Sequence, residues 1–194
     1  MSEEAEHRHG VCPWWLGWFL LSPLRRLRQD PRTILAPHVH EGMTALEPGP
    51  GMGFFTLELA RLVGERGRVV AIDVQPRMLA SLERRARRRG LAGRIEARLV
   101  EGERLPLADL ASAADFALAF AVVHELPDQE RFFADLAEAL KPGGRLLVSE
   151  PAGHVSPQAF ERTLACASGA GFRLESRPAI RLSLSALLER AIPV

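Results

Sequence analysis

The stretch from Glu47 to Phe54, EPGPGMGF, sets glycines at 49, 51 and 53 between an apolar run and a segment with helical spacing. Glycine at alternate positions lets a chain turn tightly and approach a ligand closely, because no Cβ intervenes. Asp73 stands twenty positions after Gly53 and closes the next β-branched run. A carboxylate there accepts hydrogen bonds from both hydroxyls of a ribose, so loop and acid together point to a ligand that contains a nucleoside. A dinucleotide site would need a third glycine where Phe54 stands, and the ring forfeits the close helix approach that opens space for a pyrophosphate. The loop suits a ligand without phosphates. A second set of reactive side chains lies further on: His124 and Glu125, then Glu150, then His154 in PAGHVS. An imidazole titrates near neutrality, so a histidine at a strand end can act as a general base. The competing reading is that His124 and Glu125 cap a strand and that His154 lies exposed in a polar loop.

Those side chains converge only on a scaffold of alternating strands and helices. MTALEP (43–48) reads as a strand and FFTLELARLVG (54–64) as a helix. GRVVAIDV (67–74) is a continuous β-branched run, the mark of a strand buried on both faces. PRMLASLERRARRRG (76–90) opens with Pro and ends on Gly, as helices do. IEARLV (95–100), DFALAFAVV (115–123) and GRLLVSE (144–150) read as strands, and DQERFFADLAEAL (128–140) and SPQAFERTLACASGA (156–170) as helices. The order predicts a right-handed, doubly wound α/β sheet. In such a sheet the ligand crevice lies at the carboxyl ends of the strands, where strand order reverses. The tail, 171–190, reads as two extended pieces around Arg177-Pro178, a terminal hairpin in which one strand opposes the rest.

A length of 194 residues fits one domain, or one domain with a short appendage. An apolar fraction of 47% with 25% charged residues is that of an ordinary soluble protein. The formal net charge of +1 supplies no global field to recruit nucleic acid or an anionic membrane. Cys12 and Cys166 lie far apart, with no CxxC spacing, which argues against a disulfide framework or a zinc site and for a cytoplasmic location. No run approaches the roughly 18 apolar residues that span a bilayer. The apolar stretch from Val11 to Leu21 is broken by Pro13 and Gly17, and three Glu against one Arg precede it, the wrong charge for a signal peptide.

LEPGPGMGFFTLELA, VVAIDVQPRML, VEGERLPL, DFALAFAVVHELPD, LKPGGRLLVSEP and the Gly-Phe at 171 follow one another in the order and spacing of a known family. In these motifs the chain resembles the class I S-adenosylmethionine-dependent methyltransferases, most of all the small-molecule branch with a ubiquinone/menaquinone-biosynthesis type of core. The resemblance covers about residues 38 to 190. It implies a Rossmann-like sheet of about seven strands with the last antiparallel, and S-adenosylmethionine as cofactor with S-adenosylhomocysteine as its product. It implies that Glu47 and the backbone of Gly49, Pro50, Gly51 and Gly53 hold the methionine portion. Asp73 would hold the ribose and Val74 would lie against the adenine. Glu101 and Gly102 stand where the family usually has Asp-Ala, at the adenine amino group, and the backbone around Ala119, Phe120 and Ala121 would line the sulfonium end. Residues 1–37 would form an N-terminal helical lid and 38–194 the cofactor-binding domain. In the lid, Trp14, Trp15, Trp18, Phe19 and Leu20 would exclude water from the sulfonium. The other reading of that segment is a peripheral membrane contact, with its Trp and Phe at headgroup level and Arg25, Arg26 and Arg28 facing anionic lipid.

In an in-line methyl displacement the protein aligns the acceptor and, where needed, removes its proton. His124, Glu125 and His154 are the candidates for that work. No Asn/Asp-Pro-Pro-aromatic sequence follows the fourth strand, so the signature for nucleobase amino groups is missing, and so are the carboxylates that hold magnesium in catechol-type enzymes. RRARRR (84–89) reads as a solvated helix face and not as a nucleic-acid site. His38 and His40, alternating across an extended segment, would place two imidazoles on one face, but no third ligand at metal spacing accompanies them, and no metal is expected. His7, His9 and Cys12 form a looser cluster. The expectation is an enzyme that methylates a small, apolar or amphipathic molecule, as monomer or homodimer. The alternatives are a methyltransferase acting on protein or RNA, and a non-catalytic partner subunit built on the cofactor fold.

Overall fold

The computed structural model describes residues 29–192. Pro31–Leu35 (α1) leads into Thr44–Pro48 (β1), Thr56–Leu62 (α2), Arg68–Asp73 (β2), Pro76–Arg88 (α3) and Ile95–Leu99 (β3). Ala114–Phe120 (β4), Gln129–Ala139 (α4), Leu140–Pro151 (β5), Pro157–Gly169 (α5), Phe172–Ser176 (β6) and Ser183–Arg190 (β7) complete the chain. The strands hydrogen-bond in the order β3-β2-β1-β4-β5-β7-β6. Strands β1 to β5 pair in parallel, and β7 runs antiparallel to both β5 and β6. This is the seven-stranded, doubly wound α/β sheet with the final strand reversed that the sequence implies. Strand order reverses between β1 and β4, the position at which such sheets bind their ligands.

Local signals explain where the elements stop. Helices α4 and α5 start on Asp128 and Ser156, whose side chains accept the Arg131 and Ala159 N–H groups at 2.9 and 3.2 Å. Pro stands in the first turn of α1, α3 and α5. Along the strands, alternate side chains feed opposite faces. Val70, Ile72, Ala117, Ala119 and Val148 meet Phe132, Phe133, Leu136 and Phe160 of α4 and α5. Val69, Ala71, Phe116 and Leu118 meet Leu35, Leu57, Leu59 and Leu82 of the other helical layer. Burial on both faces is what made the β2 run continuous in the sequence.

Three local expectations are corrected. The fourth strand does not run to 123: it ends at Phe120, because Ala121 adopts φ 55° and donates its N–H to the Ser149 carbonyl at 2.7 Å. A 3₁₀ turn over Val123–Glu125 follows. β5 begins at Leu140 rather than 144, through a pairing of Leu140 with Ala114 next to a register shift. The segment at 38–40 is not extended: the His38 and Val39 N–H groups both donate to the Leu35 carbonyl, closing the turn after α1. His38, half-buried, stacks on Phe116 at a centroid separation of 6.2 Å, while His40 is exposed. The lid and membrane readings of Trp14 to Arg28, and the cluster of His7, His9 and Cys12, lie outside the described residues. The domain boundary expected between 37 and 38 falls in the turn after α1, and Leu35 and Val39 on either side of it pack into the core.

Candidate active site

The glycine loop links β1 to α2 through three residues in the left-handed region: Gly49 at φ 71°, Gly51 at 53° and Gly53 at 82°. A Cβ on Gly49 would lie 2.8 Å from Val122 Cγ2, and one on Gly53 would lie 2.4 Å from Leu82 Cδ1. Those two glycines serve close packing. A Cβ on Gly51 meets nothing within 4 Å, so Gly51 is the one whose backbone faces open space. The Gly49 N–H donates to the Ile72 carbonyl and the Gly53 N–H to the Pro50 carbonyl, both at 2.9 Å, which ties the loop to β2 and closes its turn. Arg85 on α3 donates to the Met52 carbonyl, an anchor that reading the arginine run as a solvated face had missed. Phe55 packs on Phe120 with centroids 4.3 Å apart, joining the start of α2 to the end of β4.

Glu47, next to last in β1, and Asp73, which ends β2, are 3% and 8% exposed. Asp73 Oδ1 accepts the Gln75 N–H at 2.8 Å. Burial pushes the Asp73 carboxyl up to about 6, opposed by the N–H groups of Gln75, Gly51 and Val74 and assisted by the nearby Glu125 carboxylate. Val74 beside it is 55% exposed, an apolar surface left open at a strand end. The Val100 N–H donates to the Asp73 carbonyl at 3.0 Å, which brings the exposed Glu101 and Gly102 to the same rim. Ala119 is fully buried in the core, whereas Phe120 and Ala121 are partly exposed.

The expected acid–base residues are brought together. His124 Nδ1 donates to Glu150 Oε2, and Glu150 Oε1 accepts the Val123 N–H at 2.8 Å. Glu125 Oε1 lies 3.9 Å from His124 Nε2. The His154 ring stands edge-on to His124 at 6.2 Å between centroids, on the exposed turn that its N–H closes with the Pro151 carbonyl. Hydrogen bonding to Glu150 raises the His124 pKa above the usual imidazole value, against the opposing effect of burial and with help from the charges of Glu150 and Glu125. Two supports were invisible in the sequence. Gln129 Nε2 donates to the Val123 carbonyl at 3.1 Å, and Thr163 Oγ1 donates to Gln129 Oε1 at 2.9 Å, pinning the His124 turn to α4 and α5. No local pattern marks contacts across 34 residues of sequence. Among the described residues no group of three or more His, Cys, Asp or Glu is placed to hold a metal ion, and no helix is long and apolar enough to cross a membrane.

Strand order, glycine loop and acidic strand ends are those of the class I S-adenosylmethionine-dependent methyltransferases. The model of a methyltransferase domain family matches residues 39–173, and the chain belongs to that family. It is 36% identical over 118 residues to the ubiquinone/menaquinone biosynthesis C-methyltransferase UbiE of Klebsiella pneumoniae and 34% identical over the same length to that of Escherichia coli. The match takes in 61% of this chain and 46% of each relative, so the chain spans about half the length of the curated relatives it matches. A crystal structure of a SAM-dependent methyltransferase from Aquifex aeolicus superposes with a TM-score of 0.83 at 26% identity, over 93% of this chain and all of that one.

The residues present fit S-adenosylmethionine, the cofactor of the class. Asp73 offers an acceptor for ribose hydroxyls, Val74 an open apolar surface for adenine, and the Gly51 backbone an unobstructed approach. The acidic strand ends suit a ligand that carries positive charge.

Proposed function

We propose that the protein transfers a methyl group from S-adenosylmethionine to a small, apolar or amphipathic molecule. The observation that carries the reading is the meeting of two sets of groups at one topological switch point. The glycine loop and Asp73 stand on one side, and His124, Glu125 and His154 on the other. In this reading Glu47 and Gly49, Pro50, Gly51 and Gly53 hold the methionine portion, Asp73 the ribose, and Val74, Glu101 and Gly102 the adenine. The rim of Ala119, Phe120 and Ala121 lies at the sulfonium end. When bound, the cofactor supplies a methyl group on a positively charged sulfur, which leaves with the bonding pair as the acceptor's bond to carbon forms. His124 takes the acceptor's proton, and Glu125 and His154 line its approach. The names of the relatives, C-methyltransferases of ubiquinone and menaquinone biosynthesis, support a small-molecule acceptor. To the Trp-rich residues 14–20, which lie outside the described residues, this reading gives the role of excluding water from the sulfonium.

Calorimetric titration with S-adenosylmethionine and S-adenosylhomocysteine tests the cofactor half. Asp73→Ala abolishes binding, and equal affinity in the variant removes the assignment. His124→Ala keeps binding while transfer slows about 100-fold or more, the usual contribution of a general base. The acceptor class is read from S-adenosylhomocysteine formation with small hydroxylated aromatics set against peptide and RNA acceptors. Turnover on RNA or peptide alone would overturn the small-molecule reading.

A further inference from the structure

Glu150 is 1% exposed, at the carboxyl end of β5, and both of its oxygens are committed: Oε1 to the Val123 N–H and Oε2 to His124 Nδ1. Its ion-pair partner among the described residues is His124, and no Lys or Arg reaches it. A carboxylate buried without a guanidinium or ammonium beside it is costly unless it is hydrogen-bonded, and here the imidazole supplies part of that compensation. The arrangement repeats the logic of acid–imidazole pairs in which the acid takes one ring N–H and thereby settles which nitrogen is left to accept a proton.

We propose that Glu150 is a positioning residue for methyl transfer: by taking the Nδ1 proton of His124 it leaves Nε2 as the acceptor for a proton carried by the substrate. The inference rests on the methyltransferase reading and narrows its substrate class to molecules whose nucleophile must first lose a proton, a phenolic or enolic hydroxyl or the carbon conjugated with one. The acceptor's O–H bond breaks, the proton passes to Nε2, and the bonding pair stays on the acceptor, at oxygen or, by conjugation, at carbon. The resulting imidazolium is held by the Glu150 carboxylate until it returns the proton to solvent. The charged or titratable groups that face the ring are Glu150 from β5, Glu125 from the ring's own turn at 3.9 Å from Nε2, and His154 from the loop after β5, while α4 and α5 bring the neutral Gln129 and Thr163 to the turn. The two carboxylates favour the protonated ring, so a proton taken at Nε2 is accepted readily. Gln129 and Thr163 keep the turn from drifting.

The test is a pH titration of histidine side chains by ¹³C and ¹⁵N NMR on the full chain, which has six histidines, with His124→Gln to assign the resonance. In the wild type the neutral His124 ring carries its proton on Nδ1 and titrates above free imidazole. In Glu150→Gln the amide oxygen keeps the Val123 N–H while its NH₂ faces Nδ1, so the neutral proton moves to Nε2 and the midpoint falls. S-adenosylhomocysteine binding stays within twofold of wild type. With a hydroxylated aromatic acceptor the rate falls, and its pH profile follows the NMR midpoint. A wild-type ring with its proton on Nε2, or a midpoint unmoved in Glu150→Gln, overturns the proposal. The tautomer is read on the wild type, so a variant that misfolds leaves the test intact. Failure of the wild type to bind S-adenosylhomocysteine strikes instead at the methyltransferase reading, whatever the state of the ring.

Discussion

If Asp73 holds the ribose as proposed, it serves binding at the expense of the fold. Burial raises its carboxyl to about 6, well above the value of an exposed aspartate, so the ionised form that a ribose needs is the form the empty protein holds least easily. Below about pH 6 the empty site is protonated and has lost an acceptor. Affinity for S-adenosylhomocysteine therefore falls as pH drops from 7 to 5, by at most about tenfold per pH unit, and is flat above 7. Calorimetry in buffers of different ionisation enthalpy checks this through proton release on binding near pH 6, and pH-independent affinity would contradict it. The stability effect has the opposite sign. A carboxyl raised in the folded state contributes stability that is full below its unfolded value of 3.8 and is lost as pH rises through about 6. Asp73→Asn keeps an acceptor oxygen for the Gln75 N–H but sheds the charge, so at pH 7.5 the empty variant is more stable by about 1–2 kcal/mol and melts at a higher temperature, while losing cofactor affinity. Lower stability in Asp73→Asn would show that hydrogen bonds to the anion outweigh its desolvation.

At the scale of elements, the loop and the strand ends divide the labour between packing and access. Gly53→Ala places a methyl 2.4 Å from Leu82 at φ 82°, whereas Gly51→Ala places it in open space at φ 53°. Both carry the left-handed penalty of about 1–2 kcal/mol, and Gly53→Ala adds the cost of displacing Leu82. Denaturant melts should show Gly53→Ala as the less stable variant, and Gly51→Ala as the one whose cofactor affinity falls by more than its stability explains. Equal losses of affinity would mean that Gly51 does not face the ligand. The elements themselves were legible because their signals are local: the β-branched run of β2, the Pro and Gly that bracket α3, and the Asp and Ser caps of α4 and α5. The end of β4 was not legible, since the apolar residues continue to Val123 while the backbone turns at Ala121 to meet Ser149, a partner in another strand. The same holds for the pins on the His124 turn. Gln129→Ala frees the Val123 carbonyl and should slow transfer several-fold with S-adenosylhomocysteine affinity unchanged, which single-turnover kinetics beside calorimetry would separate.

In the proposed reading, cofactor groups lie on β1, β2 and β4 and proton-handling groups on the turn after β4, on β5 and on the loop beyond it, so the proposed reaction straddles the reversal in strand order. The order of the elements was readable from the sequence, because a right-handed crossover rule leaves few ways to lay out alternating strands and helices, whereas the cofactor roles rest on the resemblance to the methyltransferase family. What the sequence could not reveal is where the N-terminal residues join. Gln29 Nε2 donates to the Arg181 carbonyl at 3.0 Å and to Ser183 Oγ at 3.2 Å. β7 begins there, with Ser183 beside Pro151 and Leu184 beside Glu150, so the chain enters at the carboxyl edge of the sheet, next to the proposed acceptor site. If the Trp-rich residues, which lie outside the described residues, take part in binding as proposed, their removal weakens ligand binding. Thermal melts of the full chain and of a chain beginning at Gln29, each with and without S-adenosylhomocysteine, measure this directly. A ligand at a hundredfold excess over its Kd stabilises by about 2.7 kcal/mol, and a tenfold loss of affinity removes about 1.4 kcal/mol of that. In a domain of this size the difference is a ligand-induced shift in Tm smaller by about 3–5 °C in the shortened chain. Identical shifts would assign the Trp-rich residues to the acceptor, a membrane or a partner, and would leave the cofactor held entirely by the loop, Asp73 and the strand ends.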